Sequence, residues 1–284
     1  MAKQHALVRK MPAVETLGCT TVICSDKTGT LTRGEMTVRS LFSAGRTVQV
    51  SGAGYDPEGE FKDGDRPLTA VGNRPFEEFL RGGLLCNDSD LHEREGKWSI
   101  KGDPTEGALV VAAAKAGVRV RETRLENQRV EEIPFSSERK RMTTIHRTNG
   151  TDTAYMKGAP ELVLGRCTHI LDAGGVRPLG GEDRAAVLRA NEEMAKAALR
   201  VLAVASRILP HGTAYEEDAV ENGMVFLGLA GMMDPPRQEA IEAIRVCKQV
   251  HIKLVMITGD HKLTALAVAR EMGIFHEGDR VLTG

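Results

Sequence analysis

Asp26-Lys27-Thr28-Gly29-Thr30-Leu31-Thr32 follows directly on the β-branched, apolar run Thr20-Thr21-Val22-Ile23-Cys24. Short, continuous and closed by Gly and Thr turn residues, the run reads as a buried parallel strand. Asp26 then stands at the strand's carboxyl end, where open α/β sheets bind ligands, and Gly29 lets backbone N–H groups approach phosphate oxygens. A carboxylate held there is a candidate covalent nucleophile. Two places on stands Thr28, which takes up no proton at neutral pH. A phosphoryl group on Asp26 should therefore persist until another group directs water at it.

The 284 residues are 41% hydrophobic, enough for a sizeable core, and the length suggests two domains. A formal net charge of -1 leaves no basic excess to neutralise nucleic acid. The five cysteines, Cys19, Cys24, Cys86, Cys167 and Cys247, form no C-x-x-C pair. They read as buried thiols in a reducing cytosol. The eight histidines show no H-E-x-x-H pattern, so they read as surface groups and no zinc site is expected. No apolar run approaches the roughly 20 residues that span a bilayer. The best, residues 224–233, is broken by glycines and ends in Asp234-Pro235-Pro236, so the chain is expected to be soluble.

The seven residues 26–32 resemble the phosphorylation motif of P-type cation-transporting ATPases. Haloacid-dehalogenase-type phosphatases commonly carry a second Asp where Thr28 stands, and no G-x-x-x-x-G-K-[ST] loop occurs. The resemblance implies an aspartyl phosphate on Asp26, with Lys27 and Thr28 beside it and Mg²⁺ held by Asp26 and the Thr28 carbonyl. It extends along most of the chain. Residues 6–18 resemble a pump's link between its fourth membrane helix and the phosphorylation domain; as bare sequence, residues 1–15 are a solvated basic lead-in.

Strands are expected at residues 37–42 and 47–50 around Gly45, then a Gly- and charge-rich surface loop over 52–65. Residues 75–86 read as a helix with Phe76, Phe79 and Leu80 on one face. Asp103 caps a second helix, Pro104 takes its first turn and Gly117 ends it. Capping alone explains Asp103 and Pro104; the resemblance adds Glu106 as an adenine-pocket residue. Phe135 precedes the charged turn between two strands and reads either as core or, by the resemblance, as the ring on which adenine stacks, with Lys140 the nearby cation. Lys157-Gly158-Ala159-Pro160-Glu161 takes a strand through a Gly turn into a helix, and the family places Lys157 and Gly158 in the nucleotide pocket. Gly174-Gly175 and Gly180-Gly181 bracket a turn, and residues 182–199 form an Ala-rich helix. Arg200, before the strand 201–206, reads as a surface ion-pair partner or, in the family, as a group reaching toward phosphates.

Residues 224–233 read as a strand and Asp234-Pro235-Pro236-Arg237 as a stiff second crossing between domains. After the helix 237–250, the strand 252–257 delivers Thr258-Gly259-Asp260 as the first strand delivers Asp26. In the resemblance Thr258 and Gly259 hold the transferring phosphoryl group and Asp260 orients neighbours. A helix over 261–272 stopped by Gly273 and a strand from 281–283 follow.

The expected fold class is therefore α/β. Residues 1–36 and 233–284 form a Rossmann-like, haloacid-dehalogenase-type phosphorylation domain, interrupted by residues 37–232, an α+β nucleotide-binding domain built on an antiparallel sheet. The resemblance implies ATP and Mg²⁺ as cofactors, domain closure to bring the γ-phosphate to Asp26, and transmembrane and actuator domains as partners at the cytoplasmic face of a membrane. Its wording is nearer calcium and related light-cation pumps than heavy-metal pumps. The family's later Lys and G-D-G-V-N-D stretch do not occur, so the phosphorylation domain is expected to be incomplete and marginal, and the chain alone slow or inactive. An ATP-binding module without turnover and a haloacid-dehalogenase-type phosphatase are the competing readings.

Overall fold

The computed structural model describes residues 18–70, 72–260 and 262–282. The basic lead-in 1–15, His261 and Thr283 lie outside the described residues. The chain divides into two compact units, residues 1–34 with 236–284, and residues 35–235.

In the first unit, Val22–Asp26 and Lys253–Ile257 pair in parallel, with Asp26 opposite Ile257. The helix Gln238–Gln249 packs on Lys253–Ile257, and Lys262–Glu271 follows, ended by Gly273 at φ +69°. The first strand is parallel, but it is not buried: Val22 is 46% exposed and Cys24 is exposed. Its one strand partner among the described residues is Lys253–Ile257, and two strands cover too little of either face. Val281 and Leu282, read as the start of a strand, are irregular.

The second unit is built on one sheet of eleven strands among the described residues. Nine run in the spatial order Arg66–Pro67, Phe61–Asp63, Arg46–Val50, Thr37–Ser43, Met224–Met233, Arg200–Ile208, Thr151–Gly158, Arg141–Thr148 and Gln128–Ser136. Every neighbouring pair in that series is antiparallel. Cys167–Asp172 adds in parallel to Met224–Met233 and carries its hairpin partner Gly175–Pro178. The period-2 pattern sends Val204 to one face of the sheet and Ala203 and Ala205 to the other. On the first face Phe76, Phe79 and Leu84 of the helix Arg74–Leu85 meet Leu41, Val48 and Leu227, together with Leu109 of the helix Pro104–Lys115. On the second, Val163 of Pro160–Gly165 and Val187 and Met194 of Gly181–Lys196 meet Met156, Phe226 and Leu229. Each such buried Phe, Leu or Val contributes about 1.5–3 kcal/mol. The result is a large antiparallel sheet with helices on both faces.

Four local expectations are corrected. Residues 52–65 are not all loop, because Phe61–Asp63 joins the sheet and buries Phe61. The segment 174–181 contains the strand Gly175–Pro178 rather than a bare turn. Cys86 and Cys167 are buried, but Cys19 and Cys24 are exposed. His146 is no surface group: it is buried, with Nδ1 bonded to the Asn127 carbonyl at 2.9 Å and Nε2 at 3.0 Å from the Thr144 hydroxyl. Because a carbonyl only accepts, Nδ1 carries the proton.

Candidate active site

In the first unit the chain turns sharply after Asp26. Thr28 stays extended at φ −76°, ψ 124°, and Gly29 takes φ +71°, a left-handed conformation suited to glycine. The Thr32 N–H and hydroxyl both donate to the Lys27 carbonyl, at 2.9 and 3.0 Å, closing the turn. Asp26 and Thr28 are exposed on it, while Lys27 is buried beneath. Lys27 Nζ lies 2.7 Å from Asp260 Oδ2. The register that sets Asp26 opposite Ile257 puts Thr258, Gly259 and Asp260 at the same end of the parallel pair. The Asp260 N–H donates to the Thr258 hydroxyl oxygen at 3.1 Å, leaving that hydroxyl's own proton for another acceptor. Lys27 thus compensates Asp260, whereas the Asp26 carboxylate makes no ion pair among the described residues.

Sequence reasoning gave Arg237 only a place in a hinge. Its backbone N–H donates to the Leu31 carbonyl at 2.9 Å, and its guanidinium donates to the carbonyls of Thr32 and Gly29 at 2.9 and 3.1 Å. A planar fork on the carbonyls of Gly29 and Thr32 holds the Asp26 turn in shape. An Arg after two prolines was the available signal.

In the second unit, the strand registers set several expected residues toward one end of the sheet. Ser136 pairs with Arg141, Arg141 with Gly158, and Gly158 with Ala203, so Phe135, Lys140, Gly158 and Arg200 all lie toward the same strand ends. Four adjacent strands there span about 14 Å. Gly158 is needed for close approach: a β-carbon would lie 2.5 Å from both Arg141 Cβ and the Lys140 carbonyl oxygen. Lys157 is buried, and its ammonium donates to Glu106 Oε1 and the Cys86 carbonyl, both at 2.5 Å. Its third N–H has no protein partner among the described residues. Glu106 Oε2 accepts from the Asp88 N–H at 2.9 Å, and Asp103 Oδ1 caps the helix by accepting from the N–H groups of Thr105 and Glu106 at 2.8 and 3.2 Å. Phe135 is 62% exposed, so it is not core. Lys140 and Arg200 are exposed and make no ion pair among the described residues, which leaves both cations available to an anion.

A family model described as "P-type ATPase, cytoplasmic domain N" matches residues 75–239. The chain belongs to the P-type ATPase family. It is 46% identical to the cation-transporting ATPase pma1 of Synechocystis over 99% of this chain and 31% of that protein. It is 40% identical to a calcium-transporting ATPase of Bacillus subtilis over 100% of this chain and 32% of the relative. A probable cation-transporting ATPase F of Mycobacterium tuberculosis is 43% identical, again over 100% of this chain and 32% of the relative. The chain thus spans about a third of the length of the curated relatives it matches. Among the described residues, this part of a P-type ATPase has no helix long and apolar enough to cross a membrane.

Among the described residues of this P-type ATPase chain no three His, Cys, Asp or Glu side chains cluster as a metal site. The donors at the Asp26 turn, an exposed carboxylate and the neighbouring Thr28 carbonyl, are hard oxygens suited to Mg²⁺, which completes its shell with water and phosphate oxygens.

Proposed function

We propose that this part of a P-type ATPase binds ATP through residues 35–235 and accepts the γ-phosphoryl group on Asp26, as the catalytic region of a pump that moves a cation across a membrane. The observation that carries this is the exposed Asp26 carboxylate, without an ion pair among the described residues, at the same strand ends as Thr258 and Gly259, with Asp260 compensated by Lys27. A carboxylate oxygen of Asp26 attacks the γ-phosphorus, the bond to the β,γ-bridging oxygen breaks, and ADP leaves with that electron pair. The Thr258 hydroxyl and Gly259 N–H hold phosphoryl oxygens. Neutralising Asp260 keeps a second negative charge from opposing the incoming phosphate. Mg²⁺ held by Asp26 and the Thr28 carbonyl would supply further charge neutralisation. Thr28, unable to act as acid or base, leaves the acyl phosphate long-lived, as an energy transducer needs.

In the second unit Phe135 stacks the base, Lys140 and Arg200 pair with phosphates, and the third N–H of Lys157 meets the nucleotide while Glu106 fixes its position. Relatives named for calcium and other cations support a light cation as cargo. Transmembrane and actuator parts of the same pump are the partners, and the cytoplasmic face of the membrane is the location.

The test is ATP titration of the chain together with a search for acid-stable, hydroxylamine-sensitive label from γ-labelled ATP, absent in Asp26→Asn. Binding with label supports the full reading. Binding without label leaves an ATP-binding module, and turnover of small phosphate esters without an ATP site supports a phosphatase.

A further inference from the structure

Phe135 has little to hold it where it stands. Its ring is 62% exposed, so core packing does not fix it. The strand Gln128–Ser136 is at the sheet edge, and its register slips between Ile133, opposite Thr143, and Ser136, opposite Arg141. Three steps on this strand answer two on its neighbour, a bulge that takes residues 134 and 135 out of the regular ladder. Pro134 has no N–H to give.

The half-buried Arg139 side chain reaches this bulge. Arg139 Nη2 donates to the Pro134 carbonyl, which belongs to the same peptide as the Phe135 nitrogen. Its Nη1 donates to Glu221 Oε1 at 2.9 Å, and its backbone N–H donates to Ser136 Oγ at 3.1 Å. Glu221 is fully buried, 0% exposed, and is anchored twice more: Oε2 accepts from Arg141 Nε at 2.7 Å, and Oε1 from the Thr143 hydroxyl at 2.6 Å. Arg141 Nη2 in turn donates to Glu217 Oε1 at 2.6 Å. Arg139 Nε and Arg166 Nη2 also lie 3.6 Å from Glu217, so each carboxylate of the cluster meets at least two guanidinium groups and the buried Glu221 charge is not stranded. The rigid, planar Arg139 fork therefore links a fixed interior anchor to the main chain at Phe135.

We propose that Arg139, anchored by Glu221, is a positioning residue that holds the exposed Phe135 ring in the orientation that stacks a nucleotide base. The proposal rests on the nucleotide reading above and adds to it a residue that touches no nucleotide. Arg139→Met removes the link while leaving Glu221 bonded to Arg141 and Thr143. It should weaken ATP binding, measured by calorimetry on the 284-residue chain, by about tenfold, the loss expected from Phe135→Ala itself.

The double variant should bind within about twofold of Phe135→Ala alone, because Arg139 acts through that ring. Arg139→Lys keeps the charge without the fork and should bind as weakly as Arg139→Met; it also serves if the Met variant does not fold. Wild-type affinity in either single variant, or losses that multiply in the double variant, would overturn the positioning role. No ATP binding by the unsubstituted chain would overturn the nucleotide reading, and this proposal with it.

Discussion

Replacing Gly158 by alanine tests whether the site end of the sheet is as closely packed as its geometry indicates. The added methyl would stand 2.5 Å from Arg141 Cβ, 2.5 Å from the Lys140 carbonyl oxygen and 2.7 Å from Arg141 Cα. Two of these neighbours are backbone atoms, so no side-chain rotation relieves the clash. The strands Arg141–Thr148 and Thr151–Gly158 must part by about 1 Å at this end, since ordinary carbon contacts are about 3.5–4.0 Å. Such overpacking costs about 1–3 kcal/mol. Straining the Ala159 N–H bond to the Lys140 carbonyl, 2.9 Å long, adds about 1 kcal/mol. The sum is about 2–4 kcal/mol, read as a lower urea midpoint at unchanged m-value. Because the same shift displaces Lys140, ATP affinity should fall as well. A variant within about 0.5 kcal/mol of the parent would refute the packing argument.

Arg237→Ala removes the guanidinium from the Gly29 and Thr32 carbonyls and should destabilise the first unit by about 1.5–3 kcal/mol, seen as faster hydrogen exchange over residues 27–33. Unchanged exchange there would show that the turn holds itself. Burial pushes the His146 imidazole below its ordinary value, with the hydrogen bond from Nδ1 to the Asn127 carbonyl acting the other way. Between that depressed value and the unfolded value of about 6.5, the unfolded chain binds more protons. The contribution is therefore full above about pH 6.5 and is lost as pH falls through that window. The urea midpoint should decline on acidification, with a shallower decline in His146→Gln; parallel profiles would contradict this.

The strand ends that carry Asp26 and Thr258-Gly259-Asp260 were legible because each follows a short β-branched run closed by turn residues. The helix faces of Phe76, Phe79 and Leu80, and the cap at Asp103, were legible for equally local reasons. What escaped depends on partners distant in sequence. Nothing local to Lys27 announces Asp260, and nothing in Glu221-Asn222-Gly223 marks a buried carboxylate that meets Arg139 and Arg141. Phe61 is a lone apolar residue in a Gly-rich stretch, too short a signal for a strand. His146 lies in a strand buried on both faces from Arg141 to His146, so its burial comes from the elements packed over the sheet, which a count of metal-binding spacings ignores. The exposure of Val22 follows from how few strands flank it, which no residue pattern states.

The central claim, that nucleotide binds at the end of the sheet in residues 35–235, is tested most directly by following backbone amide resonances of the chain during an ATP titration. The account predicts saturable, single-site shifts concentrated at Phe135, Lys140, Lys157, Gly158 and Arg200. Shifts that do not saturate, or that centre on residues away from this strand end, would contradict it.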